Sequence, residues 1–544
     1  MPANRVATAG GDSPRTRPSS ADPAVHDISL EQAADRRLSV GDRRDLGLLL
    51  ALAAAAFVVR AVPVLLGGGL FGLQGYDDGV YFGAATALVH GVIPYRDFLL
   101  LHPPGIVVLL SPLAALGSLT GDPVAFAVAR ASIMLLGALN TVLVGLVAGR
   151  HDRLAGLTAA AVYAVWSTAS NFERSTDLHA AQNTLLLLAL LALSARDRIG
   201  PRRAGFAGVA LGLATTVQLW QAASVAVVVV WLAWRARATR GDALRPIVAF
   251  IAGAVIAIGV VCLPFLAAAP EAMVRYILID QVSRPIQGVS VIERLRALEG
   301  FPQLAQLPTI LRRLVADEVV AVGALAGVAL VAMTAWRCPW TRLWAALAVA
   351  QTAVVLAMPS FHNDYASFVA PAASLVIGTG IGIGLGRMPQ RGAPRSLARG
   401  ASVLLLVLLA AVSLVRQEGQ PLPLADLESD ISGARCVASD APSLLVLTSA
   451  MRRNLDAGCA LVLDPSGVLY DADRGRLRRE SDGYLRLNAP GFQSAMLAWY
   501  TSGDAALFSR SSRGLSQATR AAIEQRLPFE HRHGFITVRL AASP

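Results

Sequence analysis

Apolar residues gather in long runs along this chain, near residues 45–66, 124–148, 154–170, 178–195, 204–218, 221–234, 246–268, 315–335, 341–357, 365–386 and 399–416. A helix of about 20 apolar residues, range ~17–25, crosses the hydrocarbon core of a bilayer. The pattern predicts a mainly α, polytopic membrane protein of about eleven spans, with 204–218 and 221–234 short enough to form one longer irregular unit. A further run, 104–119, is short and interrupted by Pro112, and reads as a helix lying in the outer interface.

The pattern changes at both ends. Residues 1–44 are polar, with no apolar core, and read as a disordered cytoplasmic tail without a cleavable signal peptide. The membrane domain is expected over 45–416, with a first outer loop at 67–123 and a large outer loop at 269–313. Beyond it, 417–544 reads as a small extracytoplasmic α/β domain. RCVASDAPSLLVL and GCALVLDPSGVLY resemble buried strands, RGLSQATRAAIEQRL (513–527) an amphipathic helix, and FITVRL (535–540) a final strand.

Composition supports this division. The hydrophobic share is 54% and the charged share 16%, against about a quarter charged in an average soluble protein. A net charge of +11 suggests nucleic acid, but every basic residue is Arg and most lie in short loops between apolar runs, where they set topology. Arginine without lysine fits a GC-rich bacterial coding bias. With the N-terminus inside, Arg36, Arg37, Arg43, Arg44, Arg150, Arg153, Arg196, Arg198, Arg202, Arg203, Arg235, Arg237, Arg240, Arg245, Arg337, Arg342, Arg387, Arg391, Arg395 and Arg399 are cytoplasmic. Only Arg96 and Arg174 then fall in short outer loops. The implied location is a bacterial inner (plasma) membrane, with the C-terminal domain outside. No metal-ligand spacing is present among the four cysteines. Cys436 and Cys459, both in the outer domain, are either a disulfide or two buried thiols.

This topology collects four polar features on the outer face: GYDDGVY with Asp77 and Asp78, NFERSTD with Glu173 and Asp177, the 269–313 loop, and FHND with His362 and Asp364. A second polar cluster, Arg96, Asp97 and His102, follows the acidic pair, and Pro103 and Pro104 fix the backbone after it. FGAATALVHG between them suits an amphipathic surface helix.

The order of an apolar span, an acidic pair, a surface helix ending in Gly-x-x-Pro and a basic residue before Pro-Pro resembles the glycosyltransferase C (GT-C) superfamily. More narrowly, it resembles the branch of protein O-mannosyltransferases, aminoarabinose transferases and the enzymes that decorate bacterial lipopolysaccharide cores. GDPVAFAVARASIML, with Arg130, is similar to the entry into that family's second span, and FHNDYASFVAPA to a late outer loop. The family's Lys-Pro-Pro is His102-Pro103-Pro104 here.

The resemblance implies an integral membrane glycosyltransferase that moves a hexose or pentose from a polyprenyl-phosphate carrier to an acceptor outside. It places Asp77 as general base, with Asp78 sharing or orienting, and inversion at the anomeric carbon. Arg96, His102 and Arg130 are the expected donor-phosphate groups, Arg96 leading. Tyr76, Glu173, Asp177, His362 and Asp364 are further candidates for substrate contact. Arg60 reads as a snorkelling residue. The expected partners are the lipid-linked donor, membrane lipid, and a glycan, glycolipid or protein acceptor. No cofactor is implied with certainty, and a divalent metal stays open. The alternatives are a transporter or flippase, which internal repeats and mid-membrane ionisable residues would favour, and a non-catalytic scaffold.

Overall fold

The structure is a computed structural model that describes residues 43–194, 199–239, 244–282, 284, 286, 288–301, 316–389, 393–415, 417–473, 486–509 and 514–542. The expected tail, apart from Arg43 and Arg44, lies outside these residues, as do Arg196, Arg198, Arg240, Arg391, Arg513 and the 302–313 part of the long loop.

Each of the eleven apolar runs folds as helix. These helices are α1 (Arg43–Leu66), α4 (Asp122–Gly149), α5 (Arg153–Val165), α6 (Leu178–Leu193), α7 (Pro201–Val217), α8 (Gln221–Thr239), α9 (Leu244–Ala268), α11 (Asp317–Arg337), α12 (Arg342–Ala357), α13 (Ala370–Arg387) and α14 (Ala393–Val415). Among the described residues, six are long and apolar enough to cross a membrane: α1, α4, α9, α11, α12 with its preceding turn, and α14. The runs 204–218 and 221–234 are two helices, separated where Gln218 turns extended. Between α1 and α4 lie α2 (Tyr76–Val89) and α3 (Gly105–Ala115), and α10 (Val291–Leu298) belongs to the long loop.

Helix α2 departs from the amphipathic surface helix expected of it. Its stretch from Asp78 to Ala87 is buried, because α3 and Phe126 of α4 pack on one side of it and the C-terminal domain covers another. The contact is close: a Cβ on Gly79 would come within 2.1 Å of the Ser443 backbone nitrogen. Only glycine lets the two backbones meet here.

The C-terminal domain is stitched to the segment that follows α1. Leu73 and Gln420 exchange backbone hydrogen bonds of 2.9 Å, and Glu418 N donates to Pro63 O at 2.9 Å. The end of α14 and the end of α1 therefore lie side by side, and the domain stands on the same face as Asp77.

That domain holds a four-stranded sheet of order β1-β2-β4-β3, with β1 (Val437–Ser439) parallel to β2 (Ala505–Phe508) and the remaining pairs antiparallel. β3 is Phe529–His533 and β4 is Ile536–Leu540. Helices α15 (Pro442–Leu447), α16 (Ala450–Asp456), α17 (Pro465–Ala472), α18 (Pro490–Thr501) and α19 (Gln517–Arg526) pack around it. Two expected strands are corrected: PSLLVL and PSGVLYDA are helical. Each opens on a proline, which lacks the N–H a ladder needs and is pre-set for the first helical position. Asp464 caps the second through Gly467 N. Cys436 and Cys459 are joined by a disulfide, with a Cα separation of 5.7 Å.

Candidate active site

The acidic pair divides its labour. Asp78 is 1% exposed. One of its oxygens takes the Arg130 guanidinium, Nε at 3.0 Å and Nη2 at 2.5 Å. The other takes Thr176 N at 2.8 Å and Thr176 Oγ1 at 2.7 Å. A carboxylate so filled is a clamp between two loops and has no lone pair aimed at a substrate. Its expected share in the base role is revised accordingly.

Arg130 is corrected for the same reason. Beyond Asp78 it donates through Nη1 to Leu70 O and Gly72 O, and its guanidinium lies 4.0 Å from the centre of the Phe126 ring. It is fully buried and all three of its nitrogens donate to the fold, which makes it the structural partner of Asp78 in place of a phosphate.

Glu173 is likewise internal. It accepts from Arg60 Nε at 3.0 Å and Nη2 at 2.5 Å, from Tyr163 Oη at 2.6 Å and from Asn140 Nδ2 at 3.0 Å. Gly137 makes room for the pair, since a Cβ there would lie 2.4 Å from Arg60 Nε. Arg60 is thus a buried ion-pair partner and does not snorkel. Tyr76, expected near substrate, donates to Asp464 Oδ1 at 2.9 Å and receives Ser466 N at 3.3 Å, which docks the C-terminal domain.

Asp77 is different. It opens α2, is partly exposed, and faces a concentration of acids. Burial first, then the carboxylates of Asp177, Asp364 and Asp464, pushes its carboxyl well above the usual range, while Arg284 pulls the other way. Next to it, the liganding atoms of Asp177, His179 and Asp364 lie within 4.8 Å of one another. His179 Nε2 is 3.2 Å from Asp364 Oδ2 and 3.6 Å from Asp177 Oδ2. Burial pushes Asp177 up to about 6, with Asp364 adding to it and His179 opposing. Burial also acts upward on Asp364, but His179 and then His362 outweigh it and hold the group below its usual range. Two carboxylates and one imidazole around a common point form a donor set that fits a divalent cation. His362 stands exposed beside Asp364, with its ring edge-on to Tyr365.

The expected cations are also rearranged. Arg96 is exposed and paired with its neighbour Asp97, Nε–Oδ1 2.9 Å and Nη2–Oδ2 2.8 Å. His102 packs edge-on against Tyr81 at 5.5 Å. Burial, then the charge of Arg284, pushes its pKa down to about 3, so it is a neutral imidazole. The cation that does stand here is Arg284, in the long loop. Its Nη1 donates to Tyr365 Oη at 2.8 Å, its guanidinium lies 5.4 Å from the Tyr470 ring centre, and its Nε is buried without a hydrogen-bond partner.

Three residues of this cluster escape sequence reading. His179 sits two after Asp177 on the first turn of a membrane helix; the Asp-x-His spacing is its only sequence signal. Arg284 lies in a loop whose charge says little about topology. Asp464 reads as a turn residue.

Residues 100–359 match the model of glycosyltransferase family 87. Among solved structures, apo ArnT from Cupriavidus metallidurans aligns with a TM-score of 0.54 at 15% identity, covering 91% of this chain and 98% of that one. ArnT from the same organism bound to undecaprenyl phosphate gives 0.52 at 16% identity, with the same coverage. The oligosaccharyltransferase of Archaeoglobus fulgidus in complex with Zn and sulfate gives 0.55 at 13% identity, covering 88% of this chain and 71% of that one. No curated protein sequence matches the chain. At these identities the likeness establishes a shared fold.

Proposed function

On the premise that the chain has the GT-C fold, we propose that it is a membrane glycosyltransferase taking a hexose or pentose from a polyprenyl-phosphate donor. The acceptor is a hydroxyl or amine in the cell envelope, and transfer occurs on the outer face of the inner membrane. The observation that carries this reading is the asymmetry of the acidic pair: Asp78 is filled by Arg130 and Thr176, while Asp77 faces the Asp177–His179–Asp364 cluster and Arg284. The family 87 match adds support, as does the undecaprenyl phosphate held by ArnT, a protein of this fold.

Chemistry assigns the roles. The leaving group is a lipid phosphate, already anionic, and needs a fixed positive charge more than a proton. Arg284 supplies it as an always-protonated planar fork with a free Nε. The acceptor needs its proton removed as it attacks, and Asp77 receives it. One base opposite the leaving group gives a single displacement with inversion. Asp177, His179 and Asp364 would hold a divalent cation, which supplies positive charge beside Asp77 and so offsets the crowding of carboxylates. Asp464 and Tyr470 close the site from the C-terminal domain.

The test is complementation of a deletion strain. Envelope glycans should lose one residue and the lipid-linked sugar should accumulate; wild type should restore both and Asp77→Asn neither. An unaltered envelope glycan profile in the deletion strain would refute the reading. A transporter or flippase finds less support, since the acids gather at one face. The buried Arg60–Glu173 pair is held by Tyr163 and Asn140, as an ion pair built into the fold would be.

A further inference from the structure

The C-terminal domain contains a cleft of about 280 Å³ that the transfer chemistry does not use. Its wall is apolar where Phe492, Tyr500 and Phe508 meet; the Tyr500 and Phe508 rings are 4.9 Å apart. Its polar side carries arginines and carboxylates in unequal states. The carboxylates are occupied: Asp440 accepts from Ser509 N at 2.8 Å and Ser509 Oγ at 3.2 Å. Glu530 is paired with Arg532 and Arg539, and Glu524 with Arg539 at 3.2 Å.

Arg486 and Arg520 also line the cleft, and neither has a carboxylate partner among the described residues. The Nε of each is buried with no hydrogen-bond acceptor. A buried guanidinium N–H without an acceptor is costly, and an anion entering the cleft removes that cost. A small inorganic anion would gain nothing from the aromatic wall. A sugar ring bearing a carboxylate or phosphate uses both surfaces, its C–H face on the rings and its charge on the forks.

The cleft is joined to the transfer site. Pro465 lines it, and the preceding residue is Asp464, which holds Tyr76. Arg486 Nη2 donates to Ser466 Oγ at 2.6 Å, and Ser466 N donates to Tyr76 Oη at 3.3 Å. The segment 464–466 is therefore a common wall, and a chain lying in the cleft leads toward Asp77.

We propose that this cleft binds an anionic saccharide, and that it holds the outer part of a negatively charged acceptor glycan. Only the identification of the ligand as acceptor rests on the glycosyltransferase reading.

The experiment is calorimetric titration of the full chain in nanodiscs. Four probes are compared: an oligosaccharide alternating glucuronate and glucose, its carboxyl-reduced form, an oligosaccharide ending in glucose 6-phosphate, and inorganic phosphate. Saturable binding of either anionic saccharide, at least tenfold tighter than the reduced form and than phosphate alone, is expected. Which of the two binds tells whether carboxylate or phosphate is read. Arg520→Gln should weaken it at least tenfold and Arg520→Lys less. Failure of both anionic saccharides, equal binding of inorganic phosphate, or unchanged affinity in Arg520→Gln would overturn the proposal. The two readings separate cleanly. Absent binding with transfer lost in Asp77→Asn removes the cleft alone. Intact binding with no transfer by the wild-type protein and an unaltered envelope glycan profile in the deletion strain removes the transferase reading and leaves the cleft.

Discussion

Asp78 meets Arg130 at 2.5 Å with both side chains fully buried, while its chain neighbour Asp77 faces the open cluster. Consecutive residues on a helix point about 100° apart, so one can be built into the fold while the other is presented to a substrate.

The first prediction follows from that division. Asp78→Asn leaves a buried guanidinium without its counter-charge, and breaking such a pair typically costs ~3–5 kcal/mol. The variant should show a lowered melting temperature and reduced yield. Asp77→Asn should melt no lower than wild type, because it removes one of several crowded carboxylates. Thermal unfolding of the two purified variants checks this; equal destabilisation would contradict it.

Glu173 gives the matching case inside the membrane domain. Glu173→Gln strands Arg60 among Tyr163, Asn140 and Ala164 O, and should destabilise strongly. Transfer per folded molecule should stay near the wild-type value, since Glu173 bonds to Arg60, Tyr163 and Asn140 and, among the described residues, not to the Asp77 cluster. A folded, inactive variant would place Glu173 in the chemistry.

The helices were legible in the sequence, and so was the gathering of the polar motifs with the C-terminal domain at one end of them, because both rest on local or summed properties. Apolar length marks a helix, and arginine bias marks a side. The roles within the polar motifs were not legible. Asp78 and Arg130 are 52 residues apart, Arg60 and Glu173 are 113 apart, and nothing local says which acid of DD is already paired. The same blindness promoted Arg96, whose partner Asp97 is its neighbour, over Arg284, whose neighbours Tyr365 and Tyr470 come from distant segments. In the C-terminal domain, apolar runs of four to six residues fit a strand or a buried helix equally well, and Pro442 and Pro465 decided for helix.

His102 carries a pH prediction. Its folded pKa, about 3, lies below the ~6.5 of a free histidine. Between those values the unfolded chain takes up a proton that the folded chain refuses, so stability falls on acidification through this window. His102→Asn should lose less stability than wild type between pH 7 and pH 4.5. Chemical unfolding at the two pH values reads the difference; parallel losses would show His102 titrating normally. Donor affinity between pH 6 and 8 should be flat in both proteins.

Tyr76→Phe removes the hydroxyl that holds Asp464 and Ser466. Loss of a hydrogen bond to a charged group costs ~1.5–3 kcal/mol. The C-terminal domain should loosen over α2, seen as faster amide exchange across 464–470 with the membrane helices unchanged. Unchanged exchange there would show that Gly79–Ser443 packing alone holds the domain.

The most direct test of the account is the rate of sugar transfer from a polyprenyl-phosphate donor by purified, folded Asp77→Asn protein. Removing the base should lower turnover by ~10²–10⁴-fold, with donor affinity held by Arg284. Turnover within a few-fold of wild type would contradict the assignment of Asp77 as the base.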